Sequence, residues 1–255
     1  MSSSGNESDV TPICASTRLI VALDVPSVEE ARSIIETLGD DANFYKIGIQ
    51  LQVVTGVDQL ITDIIDSGKQ VFLDYKIGDI GASMKANIRS SALRGISFMT
   101  IQGGADLTDE IMRDALDGRI DGSPKIFCVT VLTSIDDDQL ARLHGGKTVS
   151  EMVLERARKA AKWGCDGVIC SGWEVASIKN NVCTDLLAIT PGVRPKGAES
   201  GDQRRVITPA NAIISGADYL VVGRPIVSHP DRKSAANSII EEMQEAFDDR
   251  IKHSS

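Results

Sequence analysis

Phe72-Leu73-Asp74-Tyr75-Lys76-Ile77-Gly78-Asp79-Ile80 is the stretch where an apolar run gives way to charge. Residues 70–73 are mostly apolar rather than alternating, which predicts a strand buried on both faces of a parallel sheet. Side chains on a strand alternate with period two, so Asp74 and Lys76 project the same way. Asp79 lies just beyond, on the following loop.

Working outward, similar β-branched runs stand at residues 19–23, 44–47, 98–101, 126–131, 167–170, 186–189 and 219–222. Helical patterns lie between them. Val28–Leu38 follows Pro26 and Ser27, a helix-start signal, and residues 59–66 stop at Ser67-Gly68. Residues 150–163 end at Gly164, and residues 211–215 end at Gly216. Strands alternating with helices in this way predict a single-domain α/β fold, a (β/α)₈ TIM barrel over residues 18–255. An open doubly wound sheet is the alternative. The barrel is favoured because eight repeats fill the chain and no G-x-G-x-x-G follows the first strand.

The chain has 255 residues, close to the roughly 250 of one such barrel. Residues 1–17 are polar and Ser-rich, without a basic start or an apolar core, and are read as a flexible N-terminal tail. No apolar run approaches the roughly 20 residues that span a bilayer. The net charge of −9 argues against a nucleic-acid surface, which needs stripes of Lys and Arg. It leaves room for a small anionic substrate held by a few basic groups. The five cysteines form no C-x-x-C pair and read as reduced core thiols of a cytoplasmic protein. With three histidines, a zinc site is not expected.

In a barrel of this kind chemistry gathers at the carboxyl ends of the strands. Asp24 ends the first run and Lys46 lies within the second, in Tyr45-Lys46-Ile47-Gly48. With Asp74, Lys76 and Asp79 they make a cluster of two lysines and three aspartates at one barrel end. Burying one charge costs free energy unless it pairs, and an ion network closing the barrel would explain one. Charges at the ends of three successive strands point instead to a site.

A second feature follows the seventh and eighth runs. Thr190-Pro191-Gly192-Val193-Arg194 opens a long charged loop that closes on Gly201-Asp202-Gln203-Arg204-Arg205. A loop of that length in a compact domain is usually functional, often a lid. Val222-Gly223-Arg224-Pro225 ends the last run. Gly223 allows close backbone approach, Arg224 offers a forked donor suited to phosphate, and Gln203 adds an amide. The loops after strands seven and eight commonly hold phosphate in such barrels. Gly145-Gly146-Lys147-Thr148 looks like the end of a P-loop, but Ala141 stands where that motif needs glycine and no strand immediately precedes it.

Asp74-x-Lys76-x-x-Asp79-Ile80 resembles the D-x-K-x-x-D-I signature of the orotidine 5′-monophosphate decarboxylases. The resemblance covers nearly the whole chain after the tail. It includes Ala22-Leu23-Asp24, Tyr45-Lys46-Ile47-Gly48, Val131-Leu132-Thr133-Ser134, and the Thr-Pro-Gly-Val-Arg, Gly-Asp-Gln-Arg-Arg and Val-Gly-Arg-Pro blocks. A sister group of magnesium-dependent sugar-phosphate decarboxylases and hexulose-phosphate synthases shares D-x-K-x-x-D. The Thr-Pro-Gly-Val-Arg and Gly-Asp-Gln-Arg-Arg blocks point to the nucleotide enzyme.

The resemblance implies decarboxylation of orotidine 5′-monophosphate to UMP and CO₂ in pyrimidine biosynthesis, without metal or organic cofactor. It implies that Lys46, Asp74, Lys76 and Asp79 form a charge array, in which Lys76 protonates carbon 6. It implies a homodimer in which Asp79 serves the partner's site. Asp24, Lys46 and Asp79 would hold ribose hydroxyls, and Thr133 and Ser134 the pyrimidine edge. Gln203, Gly223 and Arg224 would hold the phosphate, with Pro191 and Arg194 beside them. Ser83 stands where the family usually has threonine, keeping the hydroxyl, and Gln102 stands where it often has histidine.

Overall fold

The computed structural model describes residues 13–104, 106–196 and 205–254. Eight parallel strands close into a barrel in chain order. They are β1 Leu19–Ala22, β2 Phe44–Gly48, β3 Gln70–Ile77, β4 Phe98–Gln102, β5 Lys125–Val129, β6 Gly167–Ile169, β7 Leu187–Thr190 and β8 Tyr219–Val222. The ring closes where Leu19, Ile20 and Val21 of β1 pair with Leu220, Val221 and Val222 of β8.

The helices around it are α1 Val28–Leu38, α2 Ile49–Gln52, α3 Val57–Asp66, α4 Gly81–Leu93, α5 Asp109–Leu116 and α6 Asp137–Leu143. They continue as α7 Val149–Trp163, α8 Gly172–Asn181, α9 Pro209–Ile214, α10 Arg224–Val227 and α11 Arg232–Ser254. Local chemistry sets their ends. Ser27 accepts a hydrogen bond from the Glu30 N–H at the start of α1. Thr148 and Glu151 form a capping box at the start of α7, and Gly164 ends that helix in the left-handed region. The Gly145–Thr148 stretch is therefore a turn and a helix cap, as its failure to match a P-loop anticipated.

Period two sorts each strand between two cores. Alternate residues point out to a large core under the helices, which includes Leu19, Val21, Tyr45 and Ile47. The others fill the barrel: Ile20, Ala22, Phe44, Phe72, Phe98, Phe127, Ile189 and Val221. Four phenylalanines from four successive strands meet there edge-on or tilted, with Phe44–Phe98 and Phe98–Phe127 centroids 4.8 and 4.7 Å apart. This aromatic layer plugs the barrel, and Asp24, Lys46, Asp74 and Thr100 form the next inward layer, of which Asp24, Lys46 and Asp74 reach the floor of its mouth.

Several boundaries differ from the sequence reading. β3 runs on to Ile77 and β5 stops at Val129. The tail read as residues 1–17 is docked from Ile13 onward. Ala15 is fully buried, its N–H donates to Gln244 Oε1, and Gln244 Nε2 donates to the Ile13 carbonyl. Buried Ala15 and partly buried Ile13, packed against the main core, outweigh the polar composition of the segment.

Candidate active site

Burying a lysine is costly, and Lys46 in β2 is 7% exposed. It is balanced on both sides. Its Nζ lies 2.8 Å from Asp24 Oδ1 and 3.5 Å from Asp74 Oδ2. Asp74 Oδ1 in turn accepts from Lys76 Nζ at 2.8 Å. Asp24, Lys46, Asp74 and Lys76 thus form one row of alternating charge across the ends of β1, β2 and β3. Burial pushes the Asp74 carboxyl up, but Lys46, Lys76 and the Thr100 hydroxyl outweigh it and hold it below the usual carboxylate range. Gly48 makes room for the row: a Cβ there would stand 2.8 Å from Asp24 Oδ1 and 3.0 Å from Lys46 Nζ.

Lys76 reaches Asp74 by a route that regular alternation did not predict. The pairing of β3 with β4 shifts register between Leu73 and Ile77, and Lys76 has φ of 50°. A non-glycine residue in the left-handed region costs on the order of 1–3 kcal/mol and persists where its surroundings fix it. Thr100 of β4 does that, accepting from the Lys76 N–H at 2.9 Å and donating to Asp74 Oδ1 at 3.0 Å.

The row floors a cavity of about 420 Å³. Its wall includes Thr133 and Leu132 after β5, Pro191 and Arg194 after β7, and Gly223 and Arg224 after β8. Both predicted ends of the site, charge row and phosphate arginine, therefore open on one space. Arg194 is 9% exposed and donates to the Val193 carbonyl at 2.8 Å. Arg224 is exposed at the start of α10. Gln50 and Cys170 also line the space and were not singled out from sequence.

Other predicted residues stand apart. Ser134 is exposed and outside the lining of this cavity. Ser83 is exposed on the first turn of α4. Asp79 is exposed, and its Oδ1 accepts from the neighbouring Ile80 N–H at 2.7 Å. It borders a second recess with Gly78, Ile80, Gln102 and Leu107, which meets the first only at Lys76. Within one chain, then, Asp79 is not part of the row. Gln203 lies outside the described residues, as do its neighbours 197–204.

The roots of that loop are fixed. Val193 bridges Ile207, and the Arg194 N–H donates to the Ile207 carbonyl at 2.9 Å. Arg205 is buried against Glu174 of α8 and donates to the Leu132 carbonyl at 3.2 Å. Burial raises the Glu174 carboxyl despite Arg205 beside it. Among the described residues no group of three or more His, Cys, Asp or Glu is placed to hold a metal ion.

Residues 17–239 match the model of the orotidine 5′-phosphate decarboxylase / HUMPS family. The chain belongs to this family. It is 44% identical over 233 residues to an orotidine 5′-phosphate decarboxylase of Afipia carboxidovorans, covering 91% of this chain and 97% of the relative. One from Rhodopseudomonas palustris is 44% identical over 229 residues, covering 90% and 95%. The crystal structure of an orotidine 5′-phosphate decarboxylase from Lactobacillus acidophilus superposes with a TM-score of 0.75 at 35% identity, covering 88% of this chain and 98% of that one. The decarboxylase family frame runs from just before β1 into α11, so every strand that carries a site residue lies inside it.

Proposed function

We propose that this protein decarboxylates orotidine 5′-monophosphate to UMP and CO₂. The observation that carries the reading is the Asp24–Lys46–Asp74–Lys76 row, set at the floor of a cavity whose wall also includes Arg224. Loss of CO₂ leaves the bonding pair on carbon 6 of the pyrimidine, with no good resonance sink. Enzymatic accelerations of about 10¹⁷, or roughly 23 kcal/mol, mark the upper range for most reactions. Fixed charge supplies part of that stabilisation. The Lys76 ammonium, held by Asp74, faces the developing anion and then gives it the proton that replaces CO₂. Asp74 crowds the departing carboxylate and favours its loss.

Asp24 and Lys46 serve the ribose hydroxyls, Thr133 and Ser134 the pyrimidine edge, and Arg224, Gly223, Gln203, Pro191 and Arg194 the phosphate end. Binding energy from the remote phosphate is then used to organise the row. Two copies of the chain complete each other's sites, with Asp79 and Ser83 presented to the partner. Both are exposed and outside the cavity of their own chain, and Asp79 borders a recess that meets it at Lys76, which supports this. The reaction places the protein in pyrimidine biosynthesis in the cytoplasm, without a cofactor.

The test is loss of orotidine 5′-monophosphate absorbance with purified, chelator-treated protein. Turnover should survive EDTA. Turnover that disappears and returns with magnesium would move the assignment to the sugar-phosphate branch of the family.

A further inference from the structure

Thr100 is fully buried, away from the cavity surface, yet it touches both residues that the proposed chemistry uses most. It stands two places after Phe98 on β4, so it is the inward residue one layer above the aromatic plug. Asp74 stands in the same relation to Phe72 on β3. The bulge in β3 takes the Lys76 N–H out of regular pairing with β4. A hydroxyl has one proton and two lone pairs, whereas an amide N–H can only donate. Thr100 therefore accepts from the Lys76 N–H at 2.9 Å, which leaves its proton for Asp74 Oδ1 at 3.0 Å. That same Oδ1 accepts from Lys76 Nζ at 2.8 Å. The backbone of residue 76, its ammonium tip and the carboxylate are thus tied to one hydroxyl.

We infer that Thr100 is a positioning residue for decarboxylation, acting through Asp74 and Lys76; this rests on the function proposed above. Without the hydroxyl the part-buried Lys76 N–H loses that acceptor, and the carboxylate loses its only neutral donor among the hydrogen bonds described. The left-handed backbone at Lys76 then has less to hold it, and the ammonium drifts from the reacting carbon. A misplacement of about 1 Å costs on the order of 10²-fold in rate. Ribose and phosphate contacts lie on other strands, so binding is spared.

The experiment compares wild type with Thr100→Val, which keeps the shape and removes the hydroxyl, and Thr100→Ser, which restores it. Turnover, KM and UMP affinity are measured on each, per UMP-binding site. Thr100→Val should lose on the order of 10²-fold in kcat with UMP affinity within about twofold, and Thr100→Ser should recover most of the loss. Should the valine chain not fold, Thr100→Ala is read in its place. The inference is overturned if kcat stays within about threefold of wild type in the hydroxyl-less variant, if serine loses as much as valine, or if UMP affinity falls in step with kcat. Absence of turnover in wild type would sink the function itself, a distinct result.

Discussion

At the residue scale the row is a set of charges that none of its strands would tolerate singly. Lys46 is buried because two carboxylates flank it, and Asp74 stays ionised because two ammonium groups flank it. That mutual dependence made it legible: a lysine or aspartate inside an apolar run costs free energy unless it pairs, so several at neighbouring strand ends imply one another. Thr100 was not legible, because threonine is an ordinary strand residue and its two bonds exist only through the bulge. Asp74 carries a pH prediction. Its folded pKa lies below the unfolded value of about 3.9, so its contribution to stability is present above that pH and is lost as pH falls through the folded value. Acid titration of wild type and Asp74→Asn should show a share of the decline below about pH 4 that is missing in the variant; parallel curves would contradict it. Arg224 carries another. Hydrogen bonds to charged groups are worth about 1.5–3 kcal/mol, so Arg224→Ala should lower kcat/KM for the nucleotide by roughly 10- to 100-fold. A substrate lacking the phosphate should lose far less, and equal losses would show that Arg224 does not meet that group.

At the element scale, helix-start and helix-stop residues made some helices readable, but others escaped, including α5 behind its Thr108 cap and α6 behind its Asp136 cap. α1 starts and stops where Ser27 and Gly39 place it, with Ala31, Ile34 and Leu38 inward. α4 was passed over, because its buried positions are Gly81, Met84, Ile88 and Ser91, a stripe too small and polar to register. α8 hides something else: Glu174 sits in its first turn and is buried against Arg205. Glu174 Oε2 and Arg205 Nε are buried without hydrogen-bond partners among the described residues, so the pair is not fully compensated. Removing one partner of a buried pair costs about 3–5 kcal/mol, whereas replacing both with apolar groups is often near neutral. Glu174→Ala should therefore lower Tm by roughly 6–20 °C. Glu174→Met combined with Arg205→Leu should lower it much less. Thermal denaturation of single and double variants checks this, and additive losses would show that the two side chains act independently.

At the scale of the whole molecule, eight repeats of strand and helix were enough to predict a closed barrel, since nothing was left over for an edge. Docking of residues 13–17 on α11 was hidden, because local composition says nothing about a contact more than two hundred residues away in sequence. The placement of Asp79 was half visible. Its sequence position put it on the loop after β3, and the structure leaves it exposed at the rim of a recess separate from the main cavity. Lys76 borders both spaces. A second copy covering the mouth would bring its own Asp79 over this Lys76. The expectation is tested with two inactive variants, Lys76→Ala and Asp79→Ala, mixed and allowed to exchange subunits. If Asp79 acts across the interface, one site of the heterodimer takes Asp74 and Lys76 from the Asp79→Ala chain and Asp79 from the Lys76→Ala chain. That site is intact, the other carries both lesions, and activity returns on mixing. If Asp79 acts within its own chain, every site keeps one lesion. Verified exchange with no recovered turnover would then remove the shared site while leaving the decarboxylase reading in place, because the Asp24–Lys46–Asp74–Lys76 row lies within one barrel.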